Sequence, residues 1–327
     1  MLSKKRTLVL KAENLVKRFG AVTAVNDVSF GVAQGEIFGF LGPNGAGKTT
    51  TINLLTGLAR PTSGSLLLDG QEYTHGPKAA QAAMGVVPDE SNLYEELDGF
   101  ENLAFCAALY GLDHTTRELR ARQLLEQFGL AEAARRPFKA YSKGMKRKLA
   151  IAAGIIHAPR ILFLDEPTTG IDVMSARQIR QLIGELNRCG TTIFLTTHYI
   201  EEAERLCHRI AFIVAGRIVR TGSLEQLMRE HQHDTVVQLT VQKAGPKLQR
   251  ALRRQFPEYG IHGVDERALR VAAGGSIDLL PLLAFLAKRR VPVTEAKLIH
   301  PTLEEVFVRV TGIEVERLRQ EREGKKQ

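Results

Sequence analysis

The sequence predicts an α/β fold built on a parallel sheet, because three strand-like apolar segments each end at residues suited to ligand binding. Segment 36–41 leads into a glycine-rich loop and a helical pattern, segment 161–164 ends in two acids, and segment 192–197 ends in a histidine. Short apolar runs of this kind are consistent with buried strands. Ligands bind outside the carboxyl ends of strands in open α/β sheets, so one shared site at that edge is expected.

The glycine-rich loop has the spacing of a phosphate-binding loop. Its glycines allow backbone N–H groups to approach phosphate oxygens, and the following helix adds the positive end of its dipole. Lys48 can reach the β and γ phosphates, and the Thr49 hydroxyl is placed to hold Mg²⁺. The candidate phosphate ligands are Gly42, Pro43, Asn44, Gly45, Ala46, Gly47, Lys48, Thr49 and Thr50.

Length and composition favour a soluble globular protein with one large or two ordinary domains. The chain has 327 residues, of which 44% are hydrophobic, and its apolar runs are far shorter than the ~20 residues of a membrane-spanning helix. The first residues lack the pattern of a signal peptide, so a cytosolic location is expected. The three cysteines lack the spacing of a zinc site or a disulfide framework.

The formal charge of +9 suits a negatively charged partner. On charge alone, nucleic acid, an acidic protein and an anionic membrane surface all stay open, as does a solubilising surface. Net charge therefore does not distinguish between these functions.

Residues from about 7 to 70 contain short strand-like runs and are expected to form a β-rich layer around the phosphate loop. Phe19 precedes that loop and could stack on a nucleobase, although a phenylalanine is more often part of a core. Between about residues 88 and 140 the apolar spacing becomes helical, which predicts an inserted helical subdomain. A turn with Ser142 and Gly144 then precedes a basic helix expected to start at Lys146, and such a turn can bind an anion.

Two acids end the second apolar segment. Asp165 is the expected Mg²⁺ ligand, and Glu166 could polarise a water molecule. Acids at a strand end are usually solvated, but after four buried residues in a phosphate-loop protein a functional role is favoured. His198, at the end of the third segment, could reach a γ-phosphate, although a single histidine is more often structural.

Taken together in this order, the motifs at Lys48, Ser142, Asp165–Glu166, Asp172 and His198 resemble the ATP-binding subunit of ABC transporters over roughly residues 7 to 225. The resemblance implies a P-loop NTPase (ABC ATPase) fold with a β-rich subdomain and an inserted helical subdomain at about 88–155. It also implies ATP and Mg²⁺ as cofactors, and a dimer that holds two ATP molecules between its subunits.

The same resemblance implies a role for each site residue. Phe19 would stack on adenine, Glu166 would be the catalytic base, and His198 would sense the γ-phosphate. The residues expected to act at the nucleotide across the dimer interface are Ser142, Gly144 and Asp172.

Two positions depart from the family pattern. Residues 141–145 read Tyr-Ser-Lys-Gly-Met where the family usually has Leu-Ser-Gly-Gly-Gln, a variant similar to that of drug-, polysaccharide- and nodulation-factor-type exporters. Asp89 follows Pro88 where the family normally has glutamine. Asp89 is expected to face Mg²⁺ directly or through water, and the segment after it to touch the membrane subunit.

After about residue 225 a separate unit is predicted. Patterns of strand, helix, strand, strand, helix and strand follow one another up to residue 299. This βαββαβ order suggests a small ferredoxin-like α+β domain at 226–313, with a docking or regulatory role. Thr302 and Glu305 have the spacing of a capping box at the start of a last helix. Residues 314–327 form a charged tail.

These expectations describe an ATPase that powers an ABC exporter by ATP-driven dimerisation and hydrolysis-driven separation. Its expected partners are a second copy or a paralogous ATPase, and a separate integral membrane permease. The chain itself is expected to lie peripherally at the cytoplasmic face of the cell membrane. The alternative is a soluble ABC-type ATPase acting on ribosomes or DNA, which the charge would suit. A single cassette without sustained heptads weighs against that alternative, so nucleic acid is not expected as a partner. The transported substrate is not encoded in these motifs.

Overall fold

The computed structural model describes residues 7–229, 235–299 and 302–313. The chain divides into two compact units. Among the described residues, one unit comprises 7–224 and 310–313, and the other comprises 225–229, 235–299 and 302–309. The predicted charged tail at 314–327 lies outside the described residues.

The first unit contains ten strands and seven helices within its described residues. The strands are β1 (Leu8–Phe19), β2 (Val22–Ala33), β3 (Ile37–Leu41), β4 (Ser63–Leu68), β5 (Gln71–Glu72), β6 (Met84–Val87), β7 (Ile161–Asp165), β8 (Thr192–Thr197), β9 (Arg209–Val214) and β10 (Arg217–Ser223). The helices are α1 (Lys48–Leu55), α2 (Lys78–Gln81), α3 (Gly99–Leu109), α4 (His114–Gln127), α5 (Lys143–Ile155), α6 (Val173–Arg188) and α7 (Ile200–Leu206).

A six-stranded sheet in the order β10-β9-β3-β8-β7-β6 carries the three segments that the sequence singled out. Strand β8 pairs in parallel with both β3 and β7. Thr197 at the end of β8 lies opposite Leu41, and Thr196 lies opposite Asp165. The carboxyl ends of the three strands therefore meet at one edge of the sheet, as predicted.

A second, antiparallel sheet in the order β2-β1-β4-β5 forms the β-rich layer. Side chains from β2, β3 and β8 meet in a cluster of aromatic rings, in which the Phe30 and Phe38 rings stack with centroids 5.4 Å apart. Strand β2 is continuous over its 12 residues. The chain passes through Asp27 at a φ of +57°, where a short polar side chain is tolerated.

The helical subdomain consists mainly of α3, α4 and α5. Asp98 caps α3, and it forms a reciprocal capping box with Glu101. Asp113 caps α4 by accepting a hydrogen bond from the backbone N–H of Thr116. Two polar caps of this kind fix where each helix begins.

The second unit is an α+β structure with the predicted βαββαβ order. Its elements after α8 (Leu224–Arg229) are β11 (Thr235–Val241), α9 (Pro246–Gln255), β12 (Gly260–Gly263), β13 (Ala268–Ala273), α10 (Leu279–Lys288), β14 (Val293–Ile299) and α11 (Leu303–Thr311). The sheet is antiparallel, in the order β12-β13-β11-β14. Leu252 of α9 and Leu282 of α10 share one core with Leu239 of β11. The assignment of this unit as ferredoxin-like stays a prediction.

The capping box predicted at the last helix is present. The Thr302 hydroxyl accepts from the backbone N–H of Glu305, and a Glu305 carboxylate oxygen accepts from the backbone N–H of Thr302. Two reciprocal hydrogen bonds between the residues that the sequence identified therefore stabilise the first turn of α11.

Candidate functional site

The loop between β3 and α1 is packed so closely that two of its residues must be glycine. Gly47 has a φ of +97°, and a Cβ atom there would lie 2.4 Å from the Ala24 carbonyl oxygen. A Cβ on Gly42 would lie 2.2 Å from the Ile213 carbonyl oxygen. Such distances exclude any side chain, so the bare backbone forms the wall of the loop.

Lys48, the first residue of α1, lies across this loop. Its Nζ donates to the carbonyl oxygens of Gly42 at 2.8 Å and Pro43 at 3.1 Å. The same Nζ forms an ion pair with Oε1 of Glu166 at 3.0 Å. The lysine therefore links the phosphate-type loop to the residue that follows β7.

Glu166 lies at the centre of the site. His198 Nδ1 lies 2.8 Å from its Oε2, and the Thr169 hydroxyl donates to the same oxygen at 3.0 Å. The Glu166 backbone has a φ of +48°, in the left-handed region that is uncommon for a residue with a side chain. The structure thus brings together Lys48, Glu166 and His198, which the sequence placed at the ends of three separate segments.

The environment of Glu166 shifts its pKa strongly. Burial by itself would raise the pKa, but the hydrogen bond to His198 and the charge of Lys48 outweigh burial and lower the pKa to about 2. Glu166 is therefore ionised at neutral pH. A carboxylate with so low a pKa is a weak proton acceptor as long as Lys48 remains its partner.

Two of the three residues expected at Mg²⁺ share one cavity. Thr49 and Asp165 both line a cavity of about 790 Å³ beside α1. An oxygen of the buried Asp165 carboxylate accepts a hydrogen bond from the Thr196 hydroxyl, which orients it. A hydroxyl and a carboxylate are hard oxygen donors that fit Mg²⁺. Two such donors suit a cation that is shared with phosphates. Within the described ranges no cluster of three His, Cys, Asp or Glu side chains could hold a metal ion.

Asp89 contacts the helical subdomain. Its Oδ1 lies 3.5 Å from Arg147, a buried residue of α5. Arg147 also donates to the carbonyl oxygens of Pro88, at 2.6 Å, and Asp89. Asp89 is thus ion-paired with a guanidinium from the helical subdomain, and its contact with Mg²⁺ stays a prediction.

Arg147 was missed by sequence reasoning, which treated it as one of three basic residues at a helix start. The signal that sequence offered was Asp89 at a position where the family normally has glutamine. A carboxylate in place of a neutral amide suggests a cationic partner elsewhere in the fold. Nothing in the sequence shows that this partner comes from α5, 58 residues away.

We predict that Arg147 matters more for stability than Asp89 does. Arg147→Met should lower the free energy of unfolding by about 3 kcal/mol, because a buried group that holds two backbone carbonyls is lost. Asp89→Ala should cost less than about 1 kcal/mol, since its side chain is partly exposed and the carbonyl contacts survive. Denaturant unfolding of both variants checks this, and equal losses would contradict it.

The turn around Ser142 is a helix cap. The Ser142 hydroxyl accepts from the backbone N–H of Met145 at 3.2 Å, so α5 begins at Lys143 and not at Lys146 as expected. A Cβ on Gly144 would lie 2.6 Å from Ser175 Oγ, so this glycine allows α5 to pack against α6. Asp172 caps α6 in the same way, by accepting from the backbone N–H of Ser175.

Ser142 and Asp172 are exposed and stand apart from the central cluster. In the part of the chain that the structure describes, no hydrogen bond or ion pair joins either of them to Lys48, Glu166 or His198. Their expected role at a nucleotide therefore needs a second subunit.

Phe19 lies at the end of β1, and 55% of its surface is exposed. The Lys17 ammonium lies 4.9 Å from the centre of its ring. The alternative that Phe19 belongs to a core is therefore wrong, and the exposed ring fits a surface on which a base could stack.

Across residues 7–229, 235–299 and 302–313, no helix is long and apolar enough to cross a membrane.

Comparison with known proteins identifies relatives that have names of ATP-binding or ABC transporter proteins. The family model described as "ABC transporter" matches residues 25–169. The linearmycin resistance ATP-binding protein LnrL of Bacillus subtilis is 37% identical over 308 residues, which cover 93% of this chain and 98% of that protein. The Nod factor export ATP-binding protein I of Ralstonia nicotianae is 37% identical over 321 residues, which cover 94% of this chain and 95% of that protein.

A solved structure is similar over the first unit. The dimeric post-hydrolysis state of the ATP-binding cassette MJ0796, bound to ADP and Pi, matches with a TM-score of 0.61 and 26% identity. The match covers 66% of this chain and 98% of that one. The fold of the first unit is therefore that of a nucleotide-binding cassette.

Proposed function

This chain belongs to the family of ABC transporter ATP-binding proteins, and from that premise we propose how its residues carry out ATP hydrolysis to power an exporter. The chain is an ATPase of the exporter type, as its motifs predicted. The single observation that supports the site assignment is the meeting of Lys48, Glu166 and His198 at the carboxyl edge of the sheet.

Lys48 is the residue that changes partner when ATP binds. Its ammonium is held by Glu166 and two loop carbonyls, and phosphate oxygens in the loop would compete for the same charge. Once Lys48 turns to the phosphates, Glu166 loses a cation and its pKa rises. Glu166 then becomes a better base for the attacking water, so ATP binding itself activates the base.

The remaining site residues hold the substrate in place. Thr49 and Asp165 would hold Mg²⁺, which supplies charge neutralisation to the phosphates. His198, hydrogen-bonded to Glu166, fixes the direction of the carboxylate. The exposed ring of Phe19 would stack on adenine.

The exposed N-termini of α5 and α6 are the surface on which a second subunit would complete the site. Ser142, Gly144 and Asp172 lie there, away from the Lys48 cluster of their own chain. The similar MJ0796 cassette is dimeric with ADP and Pi bound. The partner is a second copy or a paralogous ATPase, and ATP between the two subunits holds them together.

A membrane permease is the second proposed partner, at the cytoplasmic face of the membrane. The cavity that contains Thr49 and Asp165 extends along an apolar rim, where Leu58 is 68% exposed and Leu109 is 70% exposed. Exposed apolar groups of this kind mark interaction sites. A permease segment bound here would lie beside the metal ligands. This position would couple ATP hydrolysis to movement of the permease. The similarity to exporter and resistance ATP-binding proteins favours this function over the ribosome or DNA alternative.

The test is copurification of the tagged chain from membranes of its own host. We expect one integral membrane protein to copurify with the wild-type chain, and Leu109→Asp to reduce its recovery at least about tenfold because a buried charge disrupts an apolar contact. Leu119→Asp, on α4 and 56% exposed, is the matched control. Equal recovery with both variants would contradict the docking surface, and a ribosomal or DNA partner in place of the membrane protein would contradict the exporter function.

A further inference from the structure

Glu202 is a buried acid on α7 that the mechanism above does not use. Only 1% of its surface is exposed. The Thr168 hydroxyl donates to its Oε1 at 2.8 Å, whereas Oε2 is buried without a hydrogen-bond partner among the described residues. An ionised carboxylate would leave that oxygen charged and uncompensated, which is costly in a protein interior. The neutral acid is therefore the form that fits this position.

Glu202 lies beside the turns that carry Glu166 and His198. Thr168, which donates to Glu202, lies two residues after Glu166, and Thr197, whose side chain lowers the pKa of Glu202, directly precedes His198. The left-handed backbone of Glu166 persists only where surrounding contacts hold it. The bond from Thr168 to Glu202 is one such contact, because it anchors the turn immediately after Glu166 to α7.

Burial is the main factor that favours the neutral form of Glu202. Burial raises its pKa to about 7, against the hydrogen bonds from Thr197 and Thr168. Glu166 raises the pKa further, and Arg180 of α6 lowers it. The other titratable groups that interact with Glu202 are Arg147 of α5 and the buried Cys207 that follows α7.

We propose that Glu202 is a positioning residue, which as a neutral acid holds the turns carrying Glu166 and His198 in their reactive arrangement. The proposal rests on the proposed ATPase function of the site. Glu202 acts through Thr168 and Thr197, and it does not touch the nucleotide.

The test separates turnover from nucleotide binding in the full-length chain. Glu202→Ala removes the acceptor for Thr168 and is expected to lower kcat about tenfold or more, which corresponds to the loss of one hydrogen bond in the transition state. The Kd for ATP should stay within about twofold, because the phosphate loop is untouched. Glu202→Gln keeps the shape and the neutral charge, so it should restore kcat to within about threefold of wild type.

Matched variants distinguish positioning from general damage. Glu201→Ala, the exposed neighbour paired with Arg205, should behave as wild type in kcat and Kd. Thr168→Val removes the same hydrogen bond from the other side, so it should lower kcat as Glu202→Ala does, and it keeps the test decisive if Glu202→Ala does not fold. A kcat for Thr168→Val and Glu202→Ala equal to that of Glu201→Ala would overturn the proposal.

The pH dependence of stability gives a second readout. Because the pKa of Glu202 is raised by folding, its stabilising contribution is complete below the unfolded pKa of about 4.5 and is lost as pH rises through about 7. The melting temperature of wild type should therefore fall relative to Glu202→Gln across this window. A constant difference between the two would overturn the neutral-acid role. Wild-type protein that hydrolyses no ATP would instead overturn the proposed function itself.

Discussion

Glu166→Gln is expected to lower ATP turnover at least about 100-fold while ATP binding is retained, because the amide keeps the shape of the side chain and removes the base. In the wild-type chain the Glu166 carboxylate competes with ATP for Lys48. The variant lacks that competition, so its affinity for ATP should equal or exceed that of wild type. Since hydrolysis separates the subunits, the variant should accumulate as an ATP-bound dimer.

Light scattering in saturating ATP and Mg²⁺, together with phosphate release, measures both effects. Glu201→Gln is the matched control, because it makes the same chemical change on an exposed, ion-paired residue of the same unit. It should hydrolyse ATP at the wild-type rate and show no persistent dimer. A Glu166→Gln protein that stays monomeric in ATP, or that turns over normally, would show that Glu166 is not the base.

The position of Glu166 could be predicted from sequence because it depends on local pattern. Each of the three segments has an apolar run that ends in a polar residue, and parallel strands place such ends at one edge. The observed pairing of β8 with β3 and β7 confirms that reasoning. The start of α5 was misplaced by three residues because the capping strength of Ser142 was not weighed.

The contacts that could not be predicted from the sequence join residues that are far apart in the chain. Arg147 reaches the carbonyls of Pro88 and Asp89, and Thr168 reaches Glu202 34 residues later. Whether a buried charge is neutralised by a cation, a metal or a proton depends on which elements pack around it. For Asp89 the partner is Arg147 and for Glu166 it is Lys48 with His198, whereas Glu202 fits as a neutral acid.

Lys48→Ala is expected to raise the Kd for ATP at least about 10- to 100-fold, because a charge-assisted hydrogen bond to phosphate contributes about 1.5–3 kcal/mol. The change has a second consequence in the unliganded protein. It leaves the buried Glu166 carboxylate with His198 but without its lysine, and the loss of one partner of a buried ion pair costs about 3–5 kcal/mol of stability. The melting temperature should therefore fall together with the affinity.

The double variant Lys48→Ala/Glu166→Gln separates these two effects. Removal of both charges leaves no uncompensated ion, so the double variant should recover much of the melting temperature that Lys48→Ala loses. It should not recover ATP affinity, because the phosphates still lack their lysine. Lys139→Ala, an exposed lysine paired with Glu96, is the control and should match wild type in both measurements. Recovery of ATP binding along with stability would mean that Lys48 acts only by holding Glu166, and the assignment of the loop around Lys48 as the phosphate site would then be wrong.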